Sequence, residues 1–188
     1  GFCSLLVIKP DNNALFLMMP ILRFSVWLSK NLSKMKTITY EQKLAALRQK
    51  IKENAVDAYL VPRTDEFLGE SITPNAERLS WLTGFTGSAG IAIVMEDKAC
   101  VMSDGRYTIQ LTQEIESDSF ELVNSQEITP IEWLAQNITT DQIVGYDSKL
   151  FSPDFICKLK TENISVQSFS DNLIDSIWKD QPEAPVTK

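Results

Sequence analysis

The chain contains no histidine among its 188 residues. Histidine is the commonest general base and the commonest transition-metal ligand in proteins, so Ser–His and Cys–His nucleophile pairs are excluded within the chain. The three cysteines, Cys3, Cys100 and Cys157, are scattered and include no Cys-x-x-Cys pair, whereas a zinc site without histidine usually needs clustered cysteines. This odd, scattered count also argues against a disulfide framework and indicates a reducing compartment, such as the cytoplasm.

The chain also lacks a strongly basic stretch and a long apolar run. Its net charge is −7, and the densest basic segment, residues 43–52, is interleaved with apolar residues, as on the solvent side of a helix. Such a chain repels phosphate backbones, so we expect no nucleic-acid partner. Residues 14–28 are nearly all apolar, but they are interrupted by Pro20 and Arg23 and are fewer than the roughly 20 residues of a membrane-spanning helix. We therefore expect no membrane partner.

Residues 1–34 differ from the rest of the chain. Asp11 precedes the apolar run and no small-x-small cleavage site follows it, which argues against a signal peptide. Residues 35–37 (MKT) resemble a natural start and lead directly into a helix signal. We predict that residues 1–34 are an extension outside the domain, that residues 35–180 form the domain, and that residues 181–188 begin a linker to a missing domain. A membrane-surface or partner-binding helix is the alternative for the extension.

Helix and strand signals alternate from residue 35 onward. Thr39 and Gln42 have the spacing of a capping box at the start of a helix. The patterns predict the order α-β-α-β-β-α-β-α-β-α-β-α, with a hairpin of strands 90–95 and 99–103 and a last helix at residues 172–179. The sequence therefore predicts a layered α/β domain with a mixed, mostly parallel sheet flanked by helices.

Residues 84–90 (GFTGSAG) are the most conspicuous glycine cluster. They match neither G-x-G-x-x-G nor a Walker A sequence, and they precede a strand, whereas phosphate-binding loops lie between a strand and a helix. We interpret them as a tight turn that leads into a buried strand, with a nucleotide-binding α/β domain as the alternative. Ser88 lacks the spacing of a nucleophile elbow and has no histidine to activate it.

Residues 104–107 (DGRY) form the second cluster, at the end of a predicted strand. Open α/β sheets bind ligands at the carboxyl ends of their strands, where the Arg106 guanidinium could hold a carboxylate or a carbonyl. A surface arginine paired with a nearby acid explains the spacing equally well.

Asp57, Asp104 and Asp147 each lie at a strand edge and could form a carboxylate metal cluster, but aspartates are common there in turns. We favour the turn role and predict no metal site in this chain.

Three segments together resemble the N-terminal domain of Xaa-Pro aminopeptidase (aminopeptidase P), within the creatinase/prolidase N-terminal domain family. They are residues 81–90 (WLTGFTGSAG), 103–107 (SDGRY) and 172–182 (NLIDSIWKDQP). The order and spacing fit the family from about Thr37 to the end of the chain. One departure is Gln181, where the family commonly has arginine.

The resemblance implies a limited role for this chain. In the family, a C-terminal "pita-bread" domain binds two divalent metals, typically Mn²⁺, and a metal-activated water attacks the peptide bond before proline. That domain is the implied partner, so this chain alone is expected to hold no cofactor and to be an inactive, truncated product. The N-terminal domain covers the cleft and supports a homodimer. Its Asp-Gly-Arg-Tyr arginine, here Arg106, contacts a peptide with proline at the second position.

Two further interpretations stay open. One is a stand-alone interaction module that pairs with a separately made metal domain or with itself. The other is the N-terminal domain of a prolidase or creatinase relative. The Asp-Gly-Arg-Tyr and Ile-Trp segments favour an aminopeptidase P over both of these relatives.

Overall fold

Strands and helices alternate in the computed structural model, which describes residues 38–115 and 118–185. The predictions for residues 1–34 lie outside the described residues. The strands are β1 (Ala58–Pro62), β2 (Ile91–Met95), β3 (Ala99–Ser103), β4 (Glu121–Asn124), β5 (Ile143–Asp147) and β6 (Ser165–Phe169). The helices are α1 (Tyr40–Glu53), α2 (Arg78–Thr83), α3 (Thr108–Glu114), α4 (Pro130–Asn137) and α5 (Pro153–Thr161). Short 3₁₀ turns occupy Pro74–Ala76 and Gly105–Tyr107.

The six strands form one sheet in the spatial order β4-β3-β2-β1-β5-β6. β2 runs antiparallel to β1 and β3, while the pairs β1–β5, β3–β4 and β5–β6 are parallel. The predicted mixed, mostly parallel sheet and its hairpin are therefore confirmed. Because β2 runs backwards, its first residue lies at the same edge as the carboxyl ends of the other strands. We call this side of the sheet the carboxyl edge. It consists of the residues that precede Ile91 and of those that follow the strand ends Pro62, Ser103, Asn124, Asp147 and Phe169.

The central strands β1, β2 and β3 are buried on both faces, and their side chains alternate between two core clusters. In β1, Tyr59 packs into a core cluster with helix α1, and Leu60 packs into a second cluster with helices α4 and α5. Leu44, Leu47 and Ile51 form the buried face of α1 that their spacing predicts. Helices thus cover the sheet on two sides, which leaves its edges for loops.

The helix predicted at residues 172–179 is absent, and this prediction was wrong: the segment consists of turns. The Ser176 hydroxyl donates to the Leu173 carbonyl at 2.7 Å, which in a helix would accept from the Ile177 amide, and the Ile177 and Trp178 amides instead share the Ile174 carbonyl. Short polar side chains compete with helical bonding in this way. The Asn172 side chain ties the segment to the sheet, because its Nδ2 donates to Asp147 at 2.9 Å. The apolar residues of this segment nevertheless pack inward, since Leu173 and Ile174 are buried in the core.

The same terminal segment is tied to helix α2. Arg78 donates from Nε and Nη2 to the Asp175 carboxylate at 2.7 and 2.8 Å. Gln181 donates from Nε2 to Asp175 and to the carbonyl of Asn75, each at 2.9 Å. Gln181 therefore joins the terminal segment to the region just before α2.

Candidate functional site

Arg106 lies at the carboxyl edge, in the 3₁₀ turn that follows β3. Asp104 begins this turn and accepts from the Arg106 amide at 3.0 Å. The same carboxylate binds the guanidinium, with Nε to Oδ1 at 3.0 Å and Nη2 to Oδ2 at 2.7 Å. The Arg106 side chain remains 72% exposed. An oriented but uncovered guanidinium can donate its remaining N–H groups to a carbonyl or carboxylate of a ligand.

The two charges of this pair support each other. The hydrogen bond from Arg106 holds the pKa of the Asp104 carboxyl below its usual value. The bond to Asp104 in turn raises the pKa of Arg106, and the charge of Glu70 acts in the same direction. Both groups are therefore ionised throughout the physiological pH range. Arg106 is thus paired with an acid, one of the two roles that its sequence position allows, and one side of its guanidinium stays uncovered for a ligand.

Tyr107 connects the Arg106 turn to the glycine cluster at residues 84–90. Its hydroxyl forms a hydrogen bond with the Ser88 hydroxyl. Its ring meets Phe85 edge to face, with centroids 5.9 Å apart. The Arg106 Cζ lies 5.4 Å from the centre of the Tyr107 ring, within cation–π range. Ser88 therefore supports the turn that carries Arg106.

The glycine cluster forms the tight turn that was predicted, between helix α2 and strand β2. Gly84 ends α2 with a left-handed φ of 84°. Gly87 lies against the Phe85 ring, and a Cβ at this position would be only 2.1 Å from Phe85 Cζ. The order of helix, loop and strand is the reverse of a phosphate-binding loop, so the geometry does not favour the nucleotide-binding alternative.

Arg63 is a residue of this edge that the sequence analysis did not single out. It directly follows β1, and its side chain is only 11% exposed. Its Nη1 donates to the carbonyls of Glu70 and Ser88 at 2.9 and 3.2 Å, and its Nη2 donates to the Glu77 carboxylate at 3.0 Å. No local pattern marks Arg63, because its partners are 7 to 25 residues away along the chain.

The three aspartates of the considered metal cluster have separate hydrogen-bonding roles. Asp57 precedes β1, at the opposite edge of the sheet, and accepts from the Ile143 amide at 2.8 Å. Asp147 is buried and accepts from Asn172, while Asp104 holds Arg106. Within residues 38–115 and 118–185, no group of three or more histidine, cysteine, aspartate or glutamate residues is arranged to hold a metal ion.

The loop after β1 presents apolar side chains to solvent. Phe67 is 82% exposed and Leu68 is 50% exposed. Asp65 shapes this loop, because its Oδ1 accepts from the amides of Phe67 and Gly69 at 3.0 and 3.3 Å. Ile109, just beyond the Arg106 turn, is also exposed. The loops of the carboxyl edge therefore expose one oriented guanidinium and several apolar side chains.

Comparison with known proteins identifies relatives over most of the chain. The family model of the creatinase/prolidase N-terminal domain matches residues 43–176. A probable Xaa-Pro aminopeptidase P of Paracoccidioides lutzii is 36% identical over 161 residues, which is 82% of this chain and 26% of the relative. One of Neosartorya fischeri is 34% identical over 181 residues, which is 91% of this chain and 28% of the relative. The chain thus spans about a quarter of the length of these curated relatives.

Solved structures show the same fold. The X-prolyl aminopeptidase of Caenorhabditis elegans, described as a cytosolic enzyme with a di-nuclear active site, matches with a TM-score of 0.73 and 30% identity. The match covers 78% of this chain and 26% of that enzyme. An Xaa-Pro aminopeptidase structure from Streptococcus pyogenes matches with a TM-score of 0.57 and 21% identity, over 73% of this chain and 96% of the other, which supports the fold alone.

The described part of the chain contains no helix that is long and apolar enough to cross a membrane. The family match, the curated relatives and the mixed six-stranded sheet agree with the resemblance carried by residues 81–90, 103–107 and 172–182. The chain therefore belongs to the creatinase/prolidase N-terminal domain family, as an N-terminal domain of the kind found in Xaa-Pro aminopeptidases.

Proposed function

We propose that this chain is the non-catalytic substrate-cleft domain of an Xaa-Pro aminopeptidase. In this role Arg106 anchors a peptide that has proline at its second position. The observation that carries the proposal is the exposed Arg106 guanidinium, held in place by Asp104 at the carboxyl edge. The names of the curated relatives supply the class of substrate.

The chemistry of Arg106 suits a peptide. Asp104 takes the Nε–H and one N–H of Nη2, so the Nη1 end of the guanidinium is free of that pair. Peptides offer carbonyl oxygens along the backbone and a carboxylate at the end, and both accept hydrogen bonds from arginine. The exposed position at the ends of parallel strands is where sheets of this kind bind ligands.

We place the hydrolytic chemistry outside this chain. The C. elegans relative is described as having a di-nuclear active site, whereas the described residues of this chain include no group of metal ligands. In our proposal two divalent metals, Mn²⁺ by family resemblance, belong to a C-terminal catalytic domain. There they would activate the water that attacks the bond before proline. We propose that this catalytic domain is the partner that contacts the carboxyl edge. We further propose that the full-length enzyme is a homodimer and that it acts in the cytoplasm.

The exposure of Phe67 and Leu68 favours one further candidate, a stand-alone module that associates with itself or with a separate protein. Exposed large apolar side chains that lie together are typical of interaction sites. Sedimentation of the chain and of a variant with Phe67→Ser and Leu68→Ser separates the two roles. A monomer in both cases favours the cleft domain, and self-association that is lost in the variant favours the module.

Peptide binding tests the cleft role directly. We would titrate the ¹⁵N-labelled chain with Ala-Pro-Ala in the millimolar range and compare wild type with Arg106→Ala and with Arg48→Ala, which changes an arginine of α1. We expect perturbed amides around residues 104–107 in wild type and Arg48→Ala, and their loss in Arg106→Ala. Perturbations that persist in Arg106→Ala, or no binding at all, would remove Arg106 from the site. Hydrolysis of the peptide by this chain with Mn²⁺ would overturn the non-catalytic role.

A further inference from the structure

We infer that Arg63 is a positioning residue for Arg106, because it fixes the backbone against which the Arg106 turn packs. The inference rests on the proposed function, in which Arg106 is the anchor for the peptide. The Arg63 side chain is only 11% exposed and does not contact the peptide in this scheme. It acts through Ser88 and Tyr107.

Arg63 joins three segments of the carboxyl edge. Its guanidinium bonds to the carbonyl of Glu70 in the loop after β1, to the carboxylate of Glu77 just before α2, and to the carbonyl of Ser88 in the glycine cluster. Its own amide also donates to the carbonyl of Gly90 at 2.9 Å. These contacts set the position of the glycine cluster relative to the end of β1.

One route of direct contacts leads from Arg63 to Arg106. Arg63 holds the Ser88 backbone, the Ser88 hydroxyl bonds to the Tyr107 hydroxyl, and the Tyr107 ring packs beside the Arg106 guanidinium. A change at Arg63 is therefore expected to alter the order of the Arg106 side chain.

The side-chain bonds of Arg63 come from two nitrogens, Nη1 and Nη2, which reach three acceptors on different segments. A lysine carries its donors on a single nitrogen, so Arg63→Lys is not expected to restore the arrangement.

The test compares Arg63→Gln with a matched control, Arg48→Gln. Arg48 also donates to a backbone carbonyl, that of Met95 at 2.9 Å, but this bond lies at the opposite edge of the sheet. The first measurement, made without peptide, is the proton-exchange rate of the Arg106 Nε–H by NMR. We expect about tenfold faster exchange in Arg63→Gln and in Arg63→Lys, and a change within about twofold in Arg48→Gln at similar Tm loss. The second measurement is the Kd for Ala-Pro-Ala, expected to rise about fivefold in the Arg63 variants alone.

The two measurements separate the inference from the proposed function. If the wild-type chain does not bind the peptide, the proposed function fails, while the exchange comparison still decides the role of Arg63. If Arg63→Gln does not fold, Tyr107→Phe removes the hydroxyl contact with Ser88 while the ring stays in place, and faster exchange at Arg106 is again expected. Unchanged Arg106 exchange in the variants that fold, or an equal change in Arg48→Gln, would overturn the inference.

Discussion

The carboxylate of Asp104 holds the guanidinium of Arg106 side-on, with contacts of 3.0 Å at Nε and 2.7 Å at Nη2. The two residues belong to one turn, and Asp104 also accepts from the Arg106 amide. The pair therefore fixes both the backbone and the side chain of Arg106. Because Arg106 is 72% exposed, solvent screens the pair, which therefore orients the guanidinium more than it stabilises the fold.

We predict that Asp104→Asn weakens peptide binding by about threefold to tenfold. Asparagine can still begin the turn, but it removes the charge that orients the guanidinium. The titration with Ala-Pro-Ala measures this effect, and Asp154→Asn, which removes an exposed partner of Lys158 on α5, is the control. Equal or tighter binding in Asp104→Asn would show that the pair does not position Arg106.

The pH dependence of the pair has a defined sign. The pKa of Asp104 is lowered in the folded chain, so its contribution to stability is present above the ordinary aspartate pKa and is lost as the pH falls through the lower folded value. We expect the side-chain carbonyl ¹³C signal of Asp104 to titrate with a midpoint below 3.8. In Arg106→Ala the midpoint should return toward the ordinary value. An identical midpoint in both proteins would contradict the pairing in solution.

We predict that Gly84→Ala destabilises the fold by about 1–3 kcal/mol. Gly84 has a φ of 84°, and an added Cβ would lie 2.9 Å from Tyr40 Cζ and 3.2 Å from the Glu114 carbonyl. Gly69→Ala is the matched control, because its Cβ would meet no atom closer than 3.7 Å, and we expect a change within about 0.5 kcal/mol. Urea unfolding measures both, and equal effects would contradict a special requirement at Gly84.

We predict that Asp175→Asn lowers the free energy of unfolding by about 1–3 kcal/mol. The bidentate pair with Arg78 joins helix α2 to the segment after β6, across 97 positions of sequence. The Arg78 side chain is only 12% exposed, so removing its partner leaves a charge that water compensates poorly. Asp154→Asn, at an exposed pair within one helix, should have no measurable effect. A loss of similar size in both variants would count against this account.

Features that depend on neighbouring residues were predictable from the sequence. The capping box of Thr39 and Gln42 and the buried face of helix α1 follow from spacing within one helix, and both are confirmed. The tight turn at residues 84–90 follows from glycine content and is also confirmed. The placement of Arg106 at the end of a strand follows from local order along the chain, and the structure shows it there. Its role toward a peptide stays a prediction.

Features that depend on distant residues were decided by the tertiary structure. Arg63 gave no local signal because its partners at Ser88 and Glu77 are 25 and 14 residues away. In place of the helix predicted at residues 172–179, the segment is bound to distant strands, because Asn172 bonds to Asp147 of β5 and the Leu173 amide donates to the Tyr59 hydroxyl of β1. The periodicity of apolar residues indicates which side chains are buried. Which groups satisfy the backbone N–H and C=O groups depends on polar partners that only the folded chain brings close. The sequence alone thus determined the family, the mixed character of the sheet and the local turn in which Asp104 holds Arg106, whereas only the folded chain decided the strand order and the long-range contacts of Arg63 with Ser88 and Glu77.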